Sequence, residues 1–365
     1  MELLYKPDWE KTKERMTTWW AHEDFGRCAL AVTAPKSGIQ HVDPPRLPEK
    51  KEDWWIDLDY LRAANEYRMS RTFYGGEAVP AWSTGDGWVN NACFVGCPVT
   101  LREDAGWVEP ILADGELTDH DYHKLVIDPG NWWWQFSNKI HRFEVEHARG
   151  KSIPSIQTLG GCADTLAAIR GSQHLVYDVA DCPNYVREFD QYLMKQWIEV
   201  HDRFYTITKD GAEGSTAWPG LNVWAPGRFY FSMCDFSYMI SPKMFRNIFL
   251  PSIEMQVNYL EQCIYHLDGV DAFAHVDALL ELPKLDGIQI VPGAGKPNAL
   301  HYMDMLKKIQ RAGKNLQILL PPEDVEAALE NLSSKGLLIT TNCNTEEEAR
   351  ILLKKAEKIS KVRIV

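Results

Sequence analysis

The sequence lacks any long uninterrupted run of apolar residues. Charges are spread through its first twenty residues, MELLYKPDWEKTKERMTTWW, and no later stretch reaches the ~20 apolar residues that a membrane span needs. The start of the chain also has no apolar segment of the kind found in secretory signals. We therefore expect neither a signal peptide nor a transmembrane helix, and we predict a cytoplasmic protein.

Dense blocks of basic residues are lacking as well. The chain has 39 Lys and Arg residues against 51 Asp and Glu residues, and its formal net charge is −12. Proteins that follow a phosphate backbone or an anionic membrane surface present clustered Lys and Arg. The composition thus argues against nucleic acid and membrane as partners, and we expect a small molecule instead.

Paired cysteines are the third absence. The chain has no CxxC pair and no disulfide framework, because its 8 cysteines are scattered through 365 residues, at Cys28, Cys93, Cys97, Cys162, Cys182, Cys234, Cys263 and Cys343. In a long chain without a secretion signal, such cysteines are typically reduced thiols. No low-complexity linker divides the sequence, so we predict one domain over residues 1–365.

Short apolar segments alternate with amphipathic segments in the C-terminal part of the chain. The apolar segments cover 263–267, 287–291, 316–320, 337–341 and 361–365. They recur every ~20 to 30 residues, which is typical of βα units, and their continuous apolar character indicates parallel strands buried on both faces. We predict a (β/α)8 barrel of the TIM type, clearest over 150–365, with an irregular, Trp-rich elaboration over 1–125.

Further elements are predicted upstream of these repeats. Helices are expected over 8–24, 57–71, 131–150, 163–171, 182–211 and 241–263, and strands over 152–160 and near 213–218. In a parallel barrel, the chemistry takes place where strands end and βα loops begin. Residues that directly follow the predicted strands are therefore the natural site candidates.

Three of these candidates are of metal-ligand type. His266 and Asp268 follow one predicted strand, and Cys343 follows a later one. Imidazole, carboxylate and thiolate are ligands that Zn²⁺ takes in catalytic sites with an open position. The alternative interpretation is structural, with His266 a hydrogen-bonded residue of the rim and Cys343 a core thiol.

The surrounding segments resemble a known superfamily. The run DFSYMISPKMFRNIFLPSIEMQVNYLEQCIYHLDG and the stretch SQHLVYDVADCPNYV are similar to uroporphyrinogen decarboxylase superfamily patterns, over roughly residues 150–365. HLDG at 266–269 and TTNCNTEEEA at 340–349 resemble the zinc-binding segments of its corrinoid-dependent methyltransferase branch. In that branch the first segment typically has the form His-x-Cys-Gly, so Asp268 replaces a cysteine here.

The resemblance implies a methyltransferase. It would move a methyl group between a small methylated substrate and a corrinoid carried by a separate protein, with zinc held by His266, Asp268 and Cys343. A carboxylate in place of a thiolate makes zinc more Lewis acidic, which suits an O- or N-methylated substrate better than a thiol. The same substitution is also compatible with a site that binds no metal.

Other polar and aromatic residues are candidates for binding the substrate. Trp218 and Trp224 follow a predicted strand, and Trp82 and Trp88 flank the loop WSTGDGW, so these four are expected at the pocket. As large apolar anchors they would instead fasten loops to the barrel. The polar candidates that complete the set are Asp164, Arg170 and Arg228.

Two further functions remain open. The decarboxylase itself is disfavoured, because the basic N-terminal motif by which the family holds a tetrapyrrole polyanion is not found here. A metal-free lyase that acts on a smaller acid is one alternative, with Asp86 or Glu77 as proton carriers. A non-catalytic barrel that binds a small molecule is the other.

Overall fold

The computed structural model describes residues 2–83, 91–103 and 105–364. Its N-terminal part contains α1 (Trp9–Trp20), β1 (Ala29–Pro35), α2 (Asp53–Ile56), α3 (Leu58–Ser70), β2 (Thr72–Gly76) and the hairpin of β3 (Val99–Leu101) with β4 (Gly106–Val108). The helices predicted over 8–24 and 57–71 are confirmed as α1 and α3. The sequence analysis missed β1.

Helices dominate the middle of the chain. They are α4 (Trp132–Ala148), α5 (Cys162–Arg170), α6 (Ser172–Asp181) and α7 (Pro183–Ala212), followed by the short strands β5 (Ser215–Thr216), β6 (Trp224–Ala225) and β7 (Phe229–Ser232). Pro183 begins the longest of these helices, as its fixed φ angle favours at a first turn. No helix in the part of the chain that the structure describes has the length and apolarity needed to cross a membrane.

The C-terminal part alternates strands with helices. After a turn at Asp235–Met239 come α8 (Pro242–Met244), a π-helical turn (Phe245–Phe249), α9 (Leu250–Tyr259), β8 (Gln262–Asp268), α10 (Val276–Leu280), β9 (Gly287–Val291), α11 (Met303–Arg311), β10 (Asn315–Leu319), α12 (Val325–Asn331), β11 (Leu337–Asn342) and α13 (Glu346–Ile359). The π turn ends two residues before Pro251, whose missing N–H prevents regular helical bonding. Thr345 caps α13 through its hydroxyl group.

The strands form a mixed α/β architecture, which confirms the predicted α/β class. Among the described residues, the main sheet has seven strands in the order β2, β1, β11, β10, β9, β8, β7. All neighbours are parallel except β1 and β2, which are antiparallel. Beyond the sheet, isolated parallel bridges join Ala81 to Ile153 and Ile156 to Ala217.

Burial explains the apolar strands. The described side chains of β8, β9 and β10 are almost all buried, because the helices that connect the strands cover the sheet. Some of the buried strand residues are nevertheless polar. His266, Gln289 and Gln317 are paired in register on three neighbouring strands and form a row. Residues in register point to the same face, so this row lies along one side of the sheet.

Two predicted strands differ in the structure. Residues 361–364 form no strand, and the backbone N–H of Arg363 donates to the hydroxyl group of Ser333 instead. The segment 152–160 contributes only the isolated bridges at Ile153 and Ile156. Apolar composition alone cannot show whether a neighbouring strand is available for pairing, so it overpredicts strands at such places.

A buried ion pair fastens the start of β1. The Glu77 carboxylate accepts from both terminal nitrogens of Arg27, at 2.7 Å each, and from the backbone N–H of Leu30 at 2.7 Å. Glu77 is completely buried and Arg27 nearly so. The pair therefore joins the loop before β1 to the segment after β2, at the amino-terminal end of the parallel strands.

Replacing Glu77 with Gln should destabilise the protein strongly. Removing one partner leaves the Arg27 guanidinium buried without its counter-charge, which costs ~3 to 5 kcal/mol in comparable buried pairs. The matched control is Glu326→Gln, which breaks the exposed pair with Lys355. Urea unfolding should show a much lower midpoint for Glu77→Gln alone, and equal midpoints for the two variants would contradict a stabilising role of the buried pair.

Candidate functional site

A cleft opens at the carboxyl ends of β7 and β8. It has a volume of about 520 Å³, and its lining residues are Val108, Pro110, Asp164, Ala167, Ala168, Gly171, Ser172, Asp235, Phe236 and Met239. A second opening of about 320 Å³ shares Asp235 and Met239 with it and adds Tyr238, Asp268 and Gly269. We call the two openings together the acidic cleft, because their charged lining residues are Asp164, Asp235 and Asp268.

Asp235 lies at the junction of the two openings. It begins the Asp235–Met239 turn directly after β7, and its backbone N–H donates to Asp164 Oδ2 at 3.1 Å. The N–H of Phe236 donates to Asp164 Oδ1 at 2.9 Å. The start of α5 and the segment after β7 lie too close for a side chain at Gly161, where a Cβ atom would lie 2.1 Å from the carbonyl oxygen of Met233.

The carboxyl groups of the cleft affect each other's ionisation. Burial, and secondarily the charge of Asp235, raises the pKa of Asp164 to about 7, although the two N–H donors oppose the shift. The pKa of Asp235 is also raised, chiefly by loss of hydration, with His266 opposing and Asp268 adding to the shift. Near neutral pH the pair therefore carries less negative charge than two free carboxylates would.

His266 faces this cluster from β8 with one nitrogen already engaged. Its Nδ1 is hydrogen-bonded to Gln289 Oε1, and because an amide oxygen only accepts, Nδ1 carries the proton in the neutral ring. The lone pair of the neutral ring is then on Nε2. Trp218 and Phe231 approach the imidazole edge-on, with centroid distances of 6.2 and 6.0 Å. The ring is thus held in one tautomer and orientation, as a base or a metal ligand requires.

The three predicted zinc ligands lie at the carboxyl ends of strands but do not form one group. His266 and Asp268 are both on β8, and Cys343 follows β11, from which β9 and β10 separate it. Within the described ranges, no three His, Cys, Asp or Glu side chains are placed to hold a metal ion. The Cys343 thiol is buried, which raises its pKa. The zinc site stays a prediction.

Of the predicted tryptophans, Trp218 lies beside the site. It is half-buried and contacts the His266 ring. Trp82 and Trp224 were expected at the pocket, but both are buried in the core, where their indole N–H groups donate to Ser152 Oγ and the Ala212 carbonyl, at 2.8 Å each. Both therefore pack loops against helices, as the structural alternative predicted. Trp88 lies outside the described residues.

The two predicted arginines are engaged elsewhere. Arg170 is buried and pairs with Asp178, and it also donates to the carbonyls of Leu112 and Gly115. Arg228 immediately precedes β7 and so lies at the opposite end of the strands from the cleft, between Tyr205 and Tyr259. The prediction that either arginine binds substrate is corrected: spacing in the sequence did not reveal the internal partners.

The acid–base candidates of the lyase hypothesis are not at the cleft either. Glu77 is held by Arg27 at the amino-terminal end of β1 and so serves the fold, which corrects its proposed role as a proton carrier. Asp86 lies outside the described residues. The prediction for Asp164 agrees with the structure in its location, because this residue lies in the first turn of α5 and lines the cleft.

Sequence analysis missed Asp190, a buried acid behind the cleft. It lies on the apolar stripe of α7 with Val186, Phe189, Leu193 and Met194, and this position among core residues was the available signal. Neither carboxylate oxygen has a hydrogen-bond partner of normal geometry among the described residues. Burial raises the pKa of Asp190 to about 8, the nearby Ser252 hydroxyl opposes this shift, and the charge of Asp164 adds to it.

Asp190→Asn should stabilise the protein increasingly as the pH rises. A carboxyl group whose pKa is raised by folding binds its proton more tightly in the native state, so its contribution to stability falls between its unfolded and folded pKa values. The loss from one group is at most ~1.4 kcal/mol per pH unit. Melting temperatures from pH 5 to pH 9 should diverge in favour of the variant, and a constant difference would contradict a buried, titrating Asp190.

The comparisons with known proteins add no family to this site. No protein-family model matches the chain, and no curated protein is detectably similar to it in sequence. The cleft itself is lined by Asp164, Asp235 and Asp268, and His266 lies close enough to affect the ionisation of Asp235.

Proposed function

We propose that the protein is a methyltransferase that moves a methyl group between a small methylated substrate and a corrinoid held by a partner protein. The superfamily resemblance of residues 150–365 supports the reaction class. The position of the cleft supports an active site there but is common to many chemistries, because (β/α) barrels place their sites at the carboxyl ends of parallel strands.

The proposal includes a closed barrel. The bridges of Ala81 with Ile153 and of Ile156 with Ala217 provide parallel pairings between the two edges of the seven-stranded sheet. The Ser215 hydroxyl donates to the carbonyl of Phe229, on the edge strand β7, at 3.1 Å. These contacts support continuation of the sheet through short strands into a (β/α)8 barrel, with the acidic cleft at its mouth.

The residues that line the cleft indicate which class of substrate it would bind. Its charged residues are carboxylates, and no lysine or arginine is among the lining residues that the structure describes. Carboxylates attract a cation and repel an acid, and the apolar Phe236 and Met239 suit methyl groups. Within the O- or N-methyl class we therefore favour an N-methylated amine in its cationic form.

The same observation weighs against the lyase alternative. An enzyme that acts on a small acid needs cationic groups to hold the carboxylate, and Arg170 and Arg228 have partners away from the cleft. The non-catalytic alternative uses the same pocket without turnover. Binding alone therefore does not separate it from an enzyme, whereas transfer of the methyl group does.

The residues of the cleft would divide the work. Asp235 and Asp268, which both line the smaller opening, would hold the cationic substrate, and Met239 would lie beside its methyl groups. The His266 ring, with Trp218 beside it, lies close enough to affect the ionisation of Asp235. The corrinoid supplies Co(I) as the nucleophile that accepts the methyl group, and the leaving amine keeps the electron pair of the broken C–N bond. A neutral amine is then released, and its attraction to the carboxylates is weaker than that of the cation.

Methyl transfer should depend on Asp235. The purified protein is mixed with free Co(I) cobalamin and, in turn, with tetramethylammonium, trimethylamine, methanol and methoxyacetate, and loss of Co(I) absorbance is followed. We expect turnover with the amines, lowered at least about tenfold by Asp235→Asn because a cation loses its counter-charge. Asp277→Asn, which removes an exposed partner of Lys308, is the control. Turnover with methoxyacetate alone would show that the site takes an acid and would contradict the choice of a cationic amine.

Zinc is the remaining part of the proposal. His266 and Asp268 are the donors on β8, and Cys343 is the third; a bound zinc ion would polarise the leaving oxygen of an O-methylated substrate or the nitrogen of a neutral amine. A cationic amine has no lone pair for the metal, so with zinc bound Asp268 would hold the metal and Asp235 alone would attract the cation. Elemental analysis should find stoichiometric zinc that is lost in His266→Ala and in Cys343→Ser but kept in Cys182→Ser, a half-buried thiol distant in sequence from these ligands. Zinc-free wild-type protein would remove the metal from the proposal and leave the amine site.

A further inference from the structure

The Asp235–Met239 turn connects β7 to α8 and lines both openings of the acidic cleft. Asp235 and Met239 belong to both linings, Phe236 belongs to the larger opening and Tyr238 to the smaller one. The conformation of this one turn therefore sets the shape of the cleft and the direction in which the Asp235 carboxylate points.

Side chains from two neighbouring segments form hydrogen bonds with the backbone of the turn. Asp164 accepts the backbone N–H groups of Asp235 and Phe236, one on each carboxylate oxygen. At the other side of the turn, His275 Nε2 is 2.9 Å from the carbonyl oxygen of Ser237. Of these two anchors, only Asp164 bonds to the backbone of Asp235 itself.

We propose that Asp164 is a positioning residue, whose ionised carboxylate holds the Asp235–Met239 turn and thereby fixes Asp235 in the cleft. An ionised carboxylate accepts on both oxygens, and its bonds to N–H donors are stronger than those of a neutral acceptor. A protonated carboxyl group keeps one carbonyl oxygen, while its O–H becomes a donor facing an N–H donor. Proton binding therefore weakens one of the two bonds.

The surroundings of Asp164 raise its pKa, so its carboxyl group gains or loses a proton near neutral pH. The pKa of about 7 follows from burial and from the charge of Asp235, which is itself influenced by His266 and Asp268. The other titratable groups whose ionisation responds to the Asp164 charge are Cys162, Asp190, Cys234 and Tyr265. Burial raises the pKa of each of these four groups and so favours their neutral forms near pH 7.

The direction of the pH effect follows from the form of Asp164 that holds the turn, which is the ionised one. Raising the pH through 7 ionises Asp164 and tightens the turn, and lowering the pH releases it. Because Asp164 acts through the backbone, the effect on the turn does not require the proposed methyl transfer. Only its catalytic consequence rests on the proposed function, through the position of Asp235.

Amide hydrogen exchange of the whole protein tests the proposal without a substrate. Exchange is followed by mass spectrometry from pH 5.5 to pH 8.5 and corrected for the intrinsic pH dependence of unprotected amides. A peptide that covers 233–240 should be protected about tenfold more at pH 8 than at pH 6 in the wild type, as expected for a bond to a charged acceptor. A peptide that covers 344–350, where Thr345 caps α13, is the internal control.

Two variants make the test decisive. Asp164→Asn keeps one carbonyl acceptor but cannot ionise, so its peptide should show partial protection that does not change with pH. Asp164→Ala should lose this protection at every pH. Wild-type protection that is flat across pH 7, or full protection in Asp164→Ala, would overturn the proposal, and neither result depends on whether methyl transfer is found.

The catalytic consequence has its own measurement. If amines are demethylated, the turnover of the wild type should rise as the pH passes through 7, and Asp164→Asn should flatten that rise while Asp235 remains in place. Substitution of a merely structural residue would lower the amount of folded enzyme without changing the shape of the pH profile. An unchanged profile in Asp164→Asn would limit Asp164 to a role in the fold of the turn and so overturn its role in positioning Asp235 for the reaction.

Discussion

Parallel pairing is the constraint on which the rest of the molecule depends. The register that joins β7, β8, β9, β10, β11 and β1 gives all six strands the same direction, so every loop that leaves a carboxyl end emerges at one edge. Asp235 after β7 and Asp268 at the end of β8 meet there although thirty-three positions separate them in the chain. The cleft therefore depends first on the common direction of the strands and only then on individual contacts.

Two buried acids show how the fold treats charge away from and near the cleft. Glu77 is buried with Arg27 as a full partner and contributes to the connection of β1 and β2. Asp190 lies behind the cleft, where no cation among the described residues influences its ionisation, and burial keeps it protonated over most of the neutral range. A buried acid of this kind lowers the stability of the fold. Residues that break the usual rules of burial in this way often lie near functional sites.

The carboxylates of the acidic cleft affect both the charge of the ligand that it prefers and the conformation of the turn that lines it. Its carboxylates favour a cationic ligand, and the same carboxylates compete for protons because they lie close together in poorly hydrated surroundings. Ligand charge, proton binding and the conformation of the Asp235–Met239 turn are thereby linked. A cation that approaches Asp235 would lower the pKa of both carboxyl groups and so favour the ionised Asp164 that holds the turn.

The sequence by itself determined the local features. Apolar runs of the right length predicted β8 to β11, and the helices predicted over 131–150, 163–171 and 182–211 lie close to the observed α4, α5 and α7. The position of Asp164 near the start of α5 was also visible. The reason is that these features depend on neighbours in the chain. Only the tertiary structure decided that Arg228 lies at the far end of β7, that Trp82 and Trp224 are core residues, and that Asp235 meets Asp164. Each of these facts depends on which distant segment supplies the contacting partner. The sequence around a residue does not show which segment that is.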